Sequence, residues 1–122
     1  MVYVKGVIVI DNILKLAEDL VENLKKSDVY CDFLNAKKNV DDNPELKEKI
    51  LKYKKLNFEY QCKIMNEANV SFDEEKHISS MYHTLLLDAE AKFFLESEKK
   101  LVELLDRIYN IISGPCEIEM FD

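Results

Sequence analysis

Only four residues in this 122-residue chain are strong breakers of regular structure: Gly6, Pro44, Gly114 and Pro115. A sheet protein reverses direction every few residues, and its turns draw on Gly, Pro, Asn and Asp. So few breakers require long uninterrupted elements, and a sequence rich in Leu, Lys and Glu makes those elements helices. Hydrophobic residues are 48% of the chain, enough for a packed core within one domain spanning residues 1–122. The expected fold class is all-α: a helical bundle with two long antiparallel helices and two or three shorter ones.

Capping chemistry divides the chain. Residues 1–10 (MVYVKGVIVI) are apolar and β-branched, and read as a short strand or an extended N-terminal arm, because periodicity does not separate the two over so short a run. From Asp11 or Asn12 a helical stripe begins, with Ile13, Ala17, Leu20 and Leu24 on one face and Leu14 and Val21 beside it. Ser27 restarts the chain as an N-cap ahead of Tyr30, Phe33, Leu34 and Ala36. Asn43-Pro44-Glu45 is a stronger restart: Asn caps, Pro fits the first helical position, and Glu meets the positive helix end. The helix that follows runs to about Asn66 and spans on the order of 35 Å.

Ser71 and Glu74 match a reciprocal capping box and open a fourth helix bearing Ile78, Met81, Tyr82, Leu85 and Leu86. Asp88 opens the last helix, which Gly114-Pro115 closes, with Gly expected in the left-handed position. Residues 115–122 read as a C-terminal tail. The two longest helices, about 44–66 and 89–113, are expected to pack antiparallel, with the fourth helix leading the chain back between them.

The third helix has more apolar surface than one neighbour covers. Leu46, Ile50, Tyr53, Asn57, Tyr60 and Ile64 follow each other at alternating four- and three-residue steps, a coiled-coil-like seam. Leu51, Leu56 and Phe58 lie off it, and the last helix repeats the excess at Phe93, Phe94 and Leu95. Self-association into a homodimer or tetramer is the simplest way to bury these faces. The interaction surface is therefore assigned to Leu46, Ile50, Tyr53, Asn57, Phe58, Tyr60 and Ile64. Asn57, polar on an apolar seam, is the candidate for fixing helix register.

Charge and chemistry exclude more than they suggest. The net charge of −7 disfavours direct nucleic-acid binding. It is uneven: residues 1–65 carry 12 Lys and 11 Asp/Glu, whereas residues 66–122 carry 5 Lys/Arg and 13 Asp/Glu. Val7–Ile10 is too short for the apolar stretch of a secretory signal, and no run approaches a membrane span. Two glycines leave no phosphate-binding loop, and the carboxylate pairs sit on solvent faces. His77 and His83 are six residues apart, not the four that align two ligands on a helix. The expectation is a cytoplasmic protein that is not an enzyme and holds no cofactor. Cys31, Cys62 and Cys116 are without close spacing, weak candidates for a metal or a cluster shared between chains.

The stretch Asn43–Met65, NPELKEKILKYKKLNFEYQCKIM, resembles the central signature of the YlbF/YmcA family, carried by Asn43-Pro44-Glu45-Leu46, Lys55-Leu56 and Phe58-Glu59-Tyr60-Gln61. Ser27-Asp28 and Tyr30 before it, and Ala89–Ser113 after it, agree in kind, so the likeness covers about residues 11–113. The resemblance implies an all-α, oligomeric regulatory protein of bacterial competence, sporulation and biofilm development. It implies partners among other regulatory proteins, in a complex linked to ribonuclease-dependent mRNA maturation. In some members it also implies an iron–sulfur cluster, and a cysteine-based redox sensor is the alternative reading. The chain departs from the family pattern in its apolar N-terminal arm and in a short tail without a cysteine-rich ending.

Overall fold

A computed structural model describes the backbone of residues 2–116, with side chains from Val9 onward. Five helices follow one another, with no strand among the described residues: α1 Val2–Lys26, α2 Asp28–Asp41, α3 Pro44–Met65, α4 Phe72–Leu85 and α5 Ala89–Ser113. The fold is all-α. Residues 2–10 are not a strand or an extended arm; they are the first turns of α1. A lone strand would leave its amides and carbonyls unpaired, whereas extending an existing helix adds a hydrogen bond for each residue fixed. Of the expected tail, residues 117–122 lie outside the described residues.

The caps fall where side-chain chemistry puts them. The Ser27 hydroxyl accepts from the Tyr30 amide at 3.2 Å, the Asn43 side chain from Leu46, and the Asp88 carboxylate from Glu90 and Ala91. Half of the expected capping box forms. Ser71 accepts from the Glu74 amide at 3.0 Å, but the Glu74 carboxylate accepts from Lys63 at 2.8 Å across the α3–α4 turn. Gly114 also departs from expectation. It is right-handed (φ −62°), its amide donates to the Asn110 carbonyl, and the stop is left to Pro115.

Ion pairs and rings fix the helix directions. Lys63–Glu74 lies beside the α3–α4 turn, and farther along Tyr53 packs on Tyr82 at 5.7 Å, so α3 and α4 form an antiparallel hairpin. That hairpin returns the chain to the start of α3, where Asp88 lies beside Asn43 and Leu46. From there α5 sets off again alongside α3, and Lys54 of α3 meets Glu98 of α5. The two long helices therefore run parallel rather than antiparallel, because α4 reverses the chain completely between them. The closest neighbour of α5 is α2, and that of α3 is α4.

The main buried cluster sits at this shared end: Ala36 and Val40 of α2, Leu46 and Ile50 of α3, Leu85 of α4, and Ala91 and Phe94 of α5. Phe33 rests on Phe94, ring centroids 5.9 Å apart. Tyr60 and Ile78 are buried farther along the hairpin. At the α2–α3 corner, Asp41 accepts from Lys37 at 3.0 Å and pairs with Lys47 at 3.1 Å.

Two measurements follow from these joints. Glu67 ends α3 with φ 55°; its amide donates to Ile64 and that of Ala68 to Lys63, the double bond of a left-handed helix stop. A side chain there costs about 1 kcal/mol relative to glycine, so Glu67→Gly should raise the melting temperature by a few degrees, read by circular dichroism. Hydrogen bonds from Lys37 and Lys47 hold the Asp41 carboxyl below the usual carboxylate pKa. A depressed pKa contributes stability above the unfolded-state value, and that contribution is lost as pH falls through the folded-state value. Asp41→Asn should thus be less stable than the parent at pH 7, and the gap should close as pH falls below the usual carboxylate range in urea titrations.

Candidate interaction surfaces

The seven residues of the expected seam divide between the inside and the outside of the chain. Leu46 and Ile50 belong to the main cluster and Tyr60 is buried, so these three serve the interior and are not a docking surface. Tyr53 packs on Tyr82 of α4. Its hydroxyl pKa is raised, first by burial and then by the neighbouring Tyr82. Burial, then Glu75 and Glu74, raises that of Tyr60. Tyr82, Glu74 and Glu75 all belong to α4, so this face of α3 lies against α4. Asn57, half-buried one turn from each tyrosine, lies on the same face. Any role it has in register therefore acts on the hairpin. Ile64, at the hairpin's far end, is exposed.

Phe58 is more exposed than Ile64. It is 69% exposed, and it lines up with Leu51 (55%) and Met65 (82%) at seven-residue spacing on one side of α3. Lys55 stands one turn from both Leu51 and Phe58. Leu51 and Met65 were legible as a heptad repeat, but the stronger tyrosine seam obscured it. Apolar exposure is heavier still on α1 and on the second half of α5. Ile10, Ile13, Leu14 and Val21 of α1 are open to solvent, as are Leu105, Tyr109, Ile111 and Ile112 of α5.

Among the described residues no comparable convergence of chemical groups accompanies these faces. Cys31 is exposed on α2, its thiol near the Lys25 carbonyl; Cys62 is half-buried on α3; Cys116 is exposed just past α5. His77 and His83 are both exposed on α4, with the His83 ring edge-on to Tyr82. Among the described residues no three His, Cys, Asp or Glu side chains gather as metal ligands. A cleft of about 330 Å³ opens between α3 and α4, with Met81 and Leu85 among apolar walls and Lys49, Lys52 and His77 also lining it. Among the described residues no helix is long and apolar enough to cross a membrane.

Comparison with known proteins places the chain in a wider group. The family model described as "Control of competence regulator ComK, YlbF/YmcA" matches residues 13–117. A UPF0342 protein of Symbiobacterium thermophilum is 23% identical over 104 residues, covering 85% of this chain and 93% of the relative. A UPF0342 protein of Caldicellulosiruptor saccharolyticus is 26% identical over 112 residues, covering 90% and 93%. One of Halothermothrix orenii is 25% identical over 103 residues, covering 84% and 87%. No solved structure matches.

Proposed function

The chain belongs to the YlbF/YmcA family of competence control, and from that premise we propose that it is a non-enzymatic cytoplasmic regulator that acts by binding other proteins. The observation that carries this reading is the exposed line Leu51, Phe58 and Met65 on α3. Three large apolar side chains spaced seven apart form a ridge that an amphipathic helix or an extended apolar segment covers well. Lys55 beside the ridge favours a partner whose apolar side chains are flanked by carboxylates. The partner is thus a protein segment with an acidic rim. The chain's net charge of −7 weighs against nucleic acid in that place.

The test is comparative capture. Wild-type chain and Phe58→Glu are immobilised, exposed to nuclease-treated native cytoplasm, and the bound proteins identified by mass spectrometry. Phe58 is exposed, so the variant should keep the helical circular dichroism of the parent. The expected result is a protein captured by wild type and lost by the variant. With that protein purified, the Kd should weaken by roughly tenfold or more, as for loss of a central aromatic anchor. Equal capture by both chains would reject the α3 ridge as the docking surface.

A further inference from the structure

The cleft between α3 and α4 lies on the side of α3 turned away from the exposed ridge. Residues advance about 100° each around a helix, so the midpoint of Lys49 and Lys52 falls roughly 150° round from the line of Leu51, Phe58 and Met65. The floor of the cleft is apolar, with Leu85 buried and Met81 half-buried. Its walls are polar and carry no carboxylate: Lys49 and Lys52 of α3 face His77, Ser80 and Thr84 of α4. On α4 the rows 77, 81, 85 and 80, 84 adjoin, so floor and far wall are one continuous helix face.

We propose that this cleft binds a small amphipathic anion, its apolar body laid on Met81 and Leu85 and its anionic head held by Lys52. Size is the first argument for that ligand. A volume of about 330 Å³ lies at the lower end of small-molecule pockets, which likewise join apolar walls to a few polar groups. Charge is the second. The two stretches that form the cleft, residues 45–55 and 76–85, carry six Lys and two Glu in a chain of net charge −7. Most charges around it are already matched. Lys47 pairs with Asp41, Lys54 with Glu98, and Lys49 with the exposed Glu45 at 3.6 Å. Of the acids that open α4, Asp73, Glu74 and Glu75, Glu74 is held by Lys63. Glu48 stands one turn from Lys52, yet among the described residues Lys52 makes no ion pair. An ammonium without a counter-charge therefore borders an apolar floor. A purely apolar guest leaves that ammonium unmatched, and a bare anion leaves the floor wet; a molecule with both parts satisfies both. Lysine acts as a point charge, so the head is a carboxylate or a phosphate.

Titration of the chain labelled at its methionine methyl groups, followed by NMR, tests the site. Octanoate and octyl phosphate are the probes, with octanol and acetate each lacking one half of the chemistry. Met81 reports the cleft and Met65 the ridge, their signals assigned with Met81→Leu and Met65→Leu. The expected result is saturable movement of the Met81 signal with one or both octyl anions, while Met65 stays still. The tighter of the two identifies the head group. Octanol and acetate should bind at least about tenfold more weakly. Lys52→Glu, at an exposed position, should weaken the anion about tenfold or more, whereas Lys100→Glu, the same charge change on α5, should leave it unchanged. Met65 moving in step with Met81 overturns the site in favour of adsorption on open apolar surface. Octanol or acetate binding as tightly as the octyl anions, or Lys52→Glu binding as wild type does, overturns it too. So does a Met81 signal that neither anion moves at concentrations of a few millimolar.

Discussion

Ala36 and Ala91 are completely buried where α2 crosses α5, and their short side chains let the two helices come close together. Val40, Leu46, Ile50, Leu85 and Phe94 collect around that contact. The Lys54 ammonium stands 5.2 Å from the centroid of the Phe94 ring and pairs with Glu98, which carries the contact outward to α3. A bulkier side chain at either alanine would hold α2 and α5 apart and open the cluster on which four of the five helices converge. The position of α3 and α4 relative to α5 is therefore set at one end of the molecule, by small residues rather than large ones.

The cost of that arrangement falls at the other end. Helices of 22 to 25 residues extend about 33–38 Å, well beyond a cluster placed near the start of α3 and α5. Past Ser97, no residue of α5 is fully buried, and of α1's described side chains only Leu24 is even half-buried. The same long helices that replace turns with regular hydrogen bonding leave the interior too small to cover them. Apolar exposure here is a geometric consequence of the fold, and evolution can spend it on partners.

Boundaries were legible in the sequence because they are local. Ser27, Asn43-Pro44, Ser71 and Asp88 each satisfy free amides within three residues, and all four helix starts fall at them. The start of α1 was not legible, since β-branched residues lower helix propensity and resemble a strand when no partner strand is considered. Glu67 gave no signal either, because a left-handed stop is usually marked by Gly or Asn. The division of the α3 seam was beyond local reasoning. Period alone groups Tyr53, Asn57 and Tyr60 with Leu46 and Ile50, but does not tell that α4 covers them while the flank with Phe58 stays open.

The two open surfaces lie on different helices, and that separation has a consequence for binding strength. The α3 ridge is three side chains long, which by itself supports only a modest interface. A two-fold pair of chains would hold two such ridges in fixed relation. A partner with two matching segments would then bind its second ridge at an effective concentration set by the dimer, without any new contact. Avidity of that kind would make recognition steeply dependent on the amount of paired chain, because the second contact forms only where two ridges are held together.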